Sequence, residues 1–600
     1  MRASMTGAPR AWGAKLLNRG PAAARWMAAL GAVLAVSAAA AEDPADLILH
    51  NGQVITVDSA FSIHEAVAVR DGRIAAVGAG ADILAYGNDE TEVIDLEGAT
   101  VLPGLMDSHV HATGAAVFEF DHPIPAMRNI ADVLDYVRGR AEALEPGEWI
   151  RLDQVFITRL EERRYPSRQE LDEAAPEHPV MFRTGPDASL NSLALELSGI
   201  DADFEVDDGG SGLIERDPET GEPTGILRGA TRFVAYETPA GQQSPTAEDR
   251  KERLAELLQS YASVGLTAVM DANASTGGLN LYAELLEEGR LPVRVAAHHS
   301  SPGGADPEGY REAMARVANH PLREDGCERL RIIGVKTFLD GGMLTGSAYM
   351  REPWGESALY GIDDPEYHGV RNIGHENLVE QIRAAAEYGL QYTAHAQGDG
   401  ATLALLEAFA EVNEEMDLGP TRPSVTHGSF MSAEAIAKMA ELGAVANIQP
   451  AWFYLDTPTL LGHFGEARLE YFIPLRSLFE AGVITGGGSD HMQKIGPRRS
   501  VNPYDPWLGI WTTLTRRPFG MDEAVYPEEA LTREQALRFY TGNNAHLFFL
   551  EDYTGAIEPG KAADLIVIDR DILTCPVDDI LEITVLRTYV DGELVHQAGE

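Results

Sequence analysis

The sequence predicts an α/β fold: a barrel of alternating strands and helices, flanked by a small β-rich domain that the two chain ends build together. Three observations carry this. Between about 100 and 550, short apolar runs alternate with stretches of helical periodicity, and repeated strand–helix units imply parallel strands joined by crossover helices. Both ends are instead β-forming runs punctuated by Asn-Gly and Asp-Gly, the dipeptides of tight hairpins. Finally, 600 residues with 44% hydrophobic and 23% charged side chains can bury a core far larger than that of one small binding module.

In chain order, the first 41 residues stand apart. They contain Arg2, Arg10, Lys15, Arg19 and Arg25 and no acid, then an apolar run from Trp26 to Val36, then Ser37 and Ala38 to Ala41. Basic, apolar and small-residue segments in that order predict a secretory leader, cleaved near Ala41, and an exported protein, periplasmic or secreted. The apolar run is shorter than the roughly 20 residues a membrane span needs, so no stable membrane insertion is expected after cleavage.

Residues 42–103 read as short strands: Leu47-Ile48-Leu49, a turn at Asn51-Gly52, Val54 to Val57, then Glu65 to Val69, Asp71-Gly72 and Ile74 to Val77. Residues 551–600 repeat the style in Asp564 to Ile568 and in Val585 to Val590, Asp591-Gly592 and Leu594-Val595. Hairpins are expected at these dipeptides. The centre, 104–550, supplies the barrel. Its strand-like runs include Thr267 to Met270, Arg331 to Phe338, Gln391 to Ala394 and Gly443 to Ile448, and its helical stretches Asn377 to Tyr388 and Ala433 to Leu442. The part from about 120 to 250, rich in acids, Pro and Gly, reads as an insertion after the first barrel strand.

Lys and Arg total 47 against 93 acids, a formal charge of −46. Phosphate neutralisation needs a basic face, so no nucleic-acid partner is expected. A small-molecule substrate, neutral or cationic, suits such a surface. Cys327 and Cys575 are too few for a thiolate metal cluster, so a metal would be held by nitrogen and oxygen ligands.

Residues with chemistry gather where strand-like runs end. Asp107-Ser108-His109-Val110-His111 places two imidazoles on one side of a strand, since residues i and i+2 share a face. Lys336 sits inside the apolar run Ile332 to Leu339, where an unpaired ammonium is costly. His395, His427 and Asp490 close three further runs. In a barrel all such ends face one pocket. Imidazole and carboxylate suit zinc or a similar divalent ion, and a buried lysine amine that takes up carbon dioxide becomes an anionic oxygen ligand.

This combination resembles the amidohydrolase superfamily of metal-dependent hydrolases, and within it the amidohydrolase-3 branch that includes N-substituted formamide deformylase. The marks are Leu102-Pro103-Gly104 before His109-x-His111, Asn191-Ser192-x-Ala194-Leu195, Gly221 to Ile226, Gly265-Leu266-Thr267, Lys336 with Asp340-Gly341, His395-Ala396-x-Gly398-Asp399, Gly488-Ser489-Asp490, and Gly560-Lys561-x-Ala563-Asp564-Leu565. The resemblance implies a (β/α)8 TIM-like barrel carrying one or two divalent ions, with the chain ends as a β-sandwich. By position His109, His111 and Asp490 would hold the first ion. Lys336, carboxylated, would bridge to a second ion held by His395 and His427. Asp490 would be the general base in hydrolysis of a non-peptide C–N bond, an amide or formamide, and a homodimer is compatible with the family.

The chain departs from the family pattern at Thr426, where relatives often carry Glu, at Pro186, where His is expected, and at Gly400, where Arg is usual. His491 follows Asp490 where a small residue is usual; facing the pocket mouth, it would contact substrate. Trp452, with Phe453 and Tyr454, either forms an aromatic wall of the pocket or packs in the core. Asp107 either orients a ligand histidine or serves a turn, Asp399 caps a helix or meets substrate, and His298-His299 reads as structural. Two other functions remain open: a mononuclear deaminase or dipeptidase-like hydrolase, and an inactive periplasmic binding protein.

Overall fold

A computed structural model describes residues 43–599 apart from 154, 186, 208–211, 302–306 and 324–327. The expected leader, Pro186 and Cys327 lie outside the described residues. Eight parallel strands form the centre: β1 (Leu105–Val110), β2 (Leu266–Ala274), β3 (Arg294–Ser300), β4 (Leu330–Phe338), β5 (Gln391–Ala396), β6 (Ser424–His427), β7 (Val445–Ile448) and β8 (Thr485–Gly487). Each pairs with the next in chain order. β1, β6, β7 and β8 are buried at every position, so the polar residues they carry, among them Asp107, His109, Thr426, His427 and Asn447, need partners inside the barrel.

The barrel is nearly closed just beyond β8. There Val110 bridges to His491 in parallel, the Asp490 N–H donates to the His109 carbonyl at 2.8 Å, and the His111 N–H donates to the His491 carbonyl at 2.8 Å. Gly488 makes this approach possible, because a Cβ there would sit 2.6 Å from the His109 nitrogen. The closing seam therefore brings the His-x-His strand end and Asp490 together through backbone contacts, before any side chain is considered.

The chain ends meet as expected. Leu565–Ile568 runs antiparallel to Thr100–Pro103 in the middle of a six-stranded sheet, and a four-stranded sheet from residues 47–95 packs against it. Their shared core mixes Leu47, Leu49, Val67 and Val69 of one sheet with Val54, Val101, Leu565 and Val567 of the other, which makes a sandwich. Asp71-Gly72 and Asp591-Gly592 both have positive φ and close hairpins, as their sequence predicts. Asn51-Gly52 does not. Leu47–His50 and Gln53–Ile55 belong to different sheets, so this dipeptide carries the chain across the sandwich, and both apolar runs gain burial by separating.

The insertion is more regular than its composition suggests. It holds a five-stranded sheet in the order Leu213–Arg216, Pro223–Arg228, Asp187–Leu190, Val180–Thr184, Ile150–Asp153. Asn191 builds it locally: its Oδ1 accepts from the N–H groups of Val180 and Ala194, and its Nδ2 donates to the His178 carbonyl. Among the described residues, no helix is long and apolar enough to cross a membrane.

Candidate metal centre

His109 and His111 stand at the end of β1, two residues apart and on one face. Their Nε2 atoms lie 3.5 and 3.3 Å from Asp490 Oδ1, and His109, His111 and Asp490 offer ligand atoms within 4.8 Å of one another. Asp490 Oδ1 is buried and accepts no hydrogen bond. A carboxylate oxygen in that state is costly unless a cation meets it, so these three residues fit a divalent ion. Backbone strain concentrates here too: Asp490 has φ 57° and His427 φ 75°.

Lys336, His395 and His427 surround this group. Lys336 Nζ lies 2.9 Å from His109 Nε2 and is almost wholly buried. Burial pushes its ammonium down to about 8, with Asp490 and Asp271 pulling the other way. The His427 ring lies 4.9 Å from that of His109 and 4.7 Å from that of His395. Burial, then the neighbouring His395 and Lys336, holds His427 well below the ordinary histidine range. Burial and Lys336 do the same for His109. Both rings are therefore neutral, which is the form that ligates. All five strand ends that the sequence singled out converge on one point.

Two residues that orient these rings were not assigned that role from sequence. Asp340 Oδ1 lies 2.9 Å from His395 Nδ1 and accepts from Gln397 N, while Oδ2 accepts from Gly398 N and Tyr349 N. Gln449 Oε1 lies 2.7 Å from His427 Nδ1. A glutamine oxygen only accepts, so His427 carries its proton on Nδ1 and leaves Nε2 for a ligand. Their signal was position: both sit just past a strand end, like the residues that were found.

His491 turns away from the cavity that His111, Lys336, His395, His427 and Asp490 line. It is fully buried, with Nδ1 2.7 Å from Tyr261 Oη and Nε2 2.9 Å from the Lys494 carbonyl. The left-handed backbone at Asp490 turns the chain, so the following side chain drops behind the seam. Asp107 orients no ring; its Oδ1 accepts from His109 N and Ser489 N, tying the two sides of the seam. His298 is structural, 2.7 Å from Gln391 Oε1. Asp399 opens the helix Asp399–Glu415 and accepts from Arg351 N. Thr426 forms a buried 2.7 Å hydroxyl pair with Thr393. Gly400 has a local reason: a Cβ there would meet the Tyr349 carbonyl at 2.9 Å.

A cavity of about 1120 Å³ opens on the centre and is lined by His111, Lys336, His395, His427 and Asp490. Trp452 does line it, its ring 6.4 Å from that of His427. Phe453 instead stacks under Arg516, and Tyr454 packs on Trp511 and Phe519. Phe156 of the insertion and Leu344 and Tyr360 of the long connection after β4 complete an apolar wall.

The profile of the amidohydrolase family matches residues 92–596. The chain belongs to the amidohydrolase family. N-substituted formamide deformylase of Arthrobacter pascens is 31% identical over 92% of this chain and 98% of that protein. The protein LONG AFTER FAR-RED 3 of Arabidopsis thaliana is 27% identical over 92% of each. An uncharacterized metal-dependent hydrolase of Pyrococcus furiosus shares the fold, with a TM-score of 0.60 at 24% identity, over 88% of this chain and all of that one. This chain is thus an enzyme, a hydrolase of the amidohydrolase family.

Proposed function

We propose that this amidohydrolase cleaves a non-peptide C–N bond, an amide or formamide carrying an apolar substituent, with Asp490 as general base. The observation that carries the reading is the unpartnered Asp490 Oδ1, buried between His109 and His111 on the wall of a large apolar cavity. The 31% identical formamide deformylase supports the choice of bond.

His109, His111 and Asp490 would hold one divalent ion, and His395, His427 and a carboxylated Lys336 a second; nitrogen and oxygen donors of this kind suit zinc. An ion bound there supplies positive charge that acidifies water and polarises a carbonyl. The chain's own groups do the rest. Lys336, held near 8 by burial, has neutral amine to add to carbon dioxide; a new N–C bond forms, the nitrogen loses a proton, and an anionic oxygen donor results. Asp490 takes the proton of the attacking water and delivers it to the departing nitrogen. Trp452, Phe156, Leu344 and Tyr360 receive the apolar substituent and keep bulk water away. The leader at 1–41 supports an exported site of action.

A panel of N-formyl and N-acetyl amines with aromatic and aliphatic substituents tests this, by following formate or acetate and free amine. Release that falls as the substituent shrinks is expected; no release from any member overturns the reading. The three-residue group is complete without Lys336, which favours a second reading, a deaminase with one ion. Ammonia from aminopurines in place of amine release would select it.

A further inference from the structure

Asp490 is held in a backbone conformation that L residues rarely adopt. Its N–H is fixed by His109 across the seam, and its carbonyl accepts from Asn502 Nδ2 at 3.0 Å. Asn502 is wholly buried, and its Oδ1 accepts from both Nη1 and Nη2 of Arg159, each at 3.2 Å. Arg159 comes from the insertion, at the end of the short turn Ile157–Arg159. Its Nε and Nη2 form a fork on Asp456, at 2.9 and 2.7 Å, and Nη1 also donates to the Val501 carbonyl. A guanidinium has five donors, and these contacts use all of them. Asp456 is fully buried on the helix Pro450–Phe464, which also carries Trp452. One side chain therefore joins the insertion, the helix after β7 and the segment after β8.

We propose that Arg159 is a positioning residue for Asp490: acting through Asn502, it sets the backbone of the carboxylate that completes the metal-binding group, so the insertion governs the affinity of that site. This rests on the metal reading above. Its specific content is that the Asn502 amide donor matters, not merely the packing around it. Asn502→Asp separates the two. It keeps the shape and the Arg159 contact but loses the donor to the Asp490 carbonyl. The added negative charge would by itself raise cation affinity, so a loss has the sign that only misplacement gives.

The experiment is zinc affinity of the full mature chain, measured by competition with a chromophoric chelator, beside a thermal melt. Wild type should bind zinc, and Asn502→Asp should bind it about 10–100-fold more weakly with a melting temperature near wild type. Arg159→Lys, which cannot reproduce the fork, should lose a similar factor, and the double variant should be no weaker than the weaker single one. If Arg159→Lys does not fold, Asn502→Asp decides alone. Zinc affinity within twofold of wild type in Asn502→Asp, or additive losses in the double variant, would overturn the proposal. Failure of the wild type itself to bind zinc overturns the metal reading and this inference with it, and differs because no variant is needed to see it.

Discussion

A carboxylate oxygen buried against the imidazoles of His109 and His111 and offered no hydrogen bond is the residue-scale feature from which the chemistry follows. It predicts that Asp490→Asn lowers kcat by about 10²–10⁴-fold, the usual worth of a positioned base. Zinc retained by His109 and His111 in that variant, measured by elemental analysis, separates loss of the base from loss of the site. Lys336 gives a second prediction. Among the described residues no acid lies within hydrogen-bonding reach of its amine, which instead touches His109 Nε2, so Lys336→Ala should lose one ion per chain, with partial recovery of activity in millimolar formate or acetate. Full metal content without rescue would remove the carbamate from the account. At this scale the sequence was informative wherever a residue's role depends only on sitting at a strand end. It was uninformative for Asp340 and Gln449, whose roles depend on which ring nitrogen they face.

At the scale of elements, the arrangement follows from strand ends and the segments that carry the chain past them. His491 shows how a strand-based reading goes astray. β8 stops at Gly487, the chain turns at a left-handed Asp490, and the next side chain falls against Tyr261 instead of the cavity. Asn51-Gly52 misled for a related reason, because a hairpin dipeptide cannot pair two runs that different sheets bury. Near β6, Arg422 reaches across to Glu551, with Nη1 3.1 Å from Oε2. Burial alone would raise the Glu551 carboxyl, but hydrogen bonds from His546 and Arg422 outweigh it and hold the group down at about 2. A depressed folded pKa means stability that is present above the ordinary carboxylate pKa of about 4.5 and lost as pH falls from there toward 2. Urea midpoints of wild type and Glu551→Gln should therefore differ at pH 7 and converge as pH falls below about 4.5. A gap that widens on acidification would contradict this.

At the scale of the whole molecule, barrel, sandwich and insertion each contribute something the others lack. The barrel collects the histidines, Lys336 and Asp490, the insertion supplies Phe156 and Arg159, and the sandwich is locked to the barrel by an ion network centred on the buried Arg294 and Asp564. In that network Arg294 at the start of β3 forks onto Asp564 at 2.7 and 2.9 Å, and also reaches Asp591, which Arg329 contacts at 2.8 Å. Asp564 is part of the late motif that marked the family, and its role proves structural. Asp564→Asn leaves Arg294 buried and half-paired, so it should cost about 3–5 kcal/mol in denaturant unfolding while leaving activity per folded molecule intact. The alternation of runs made the barrel legible, and the β-rich ends the sandwich. The insertion's sheet was hidden because its acid, Pro and Gly content resembles loop, and its strands pair non-sequentially.

The measurement that tests the account most directly is the metal content of the purified protein, reconstituted with zinc and bicarbonate and read by elemental analysis. Two ions per chain, falling to one in Lys336→Ala, is the predicted result; one ion or none in the wild type would contradict the bridged centre on which the proposed reaction rests.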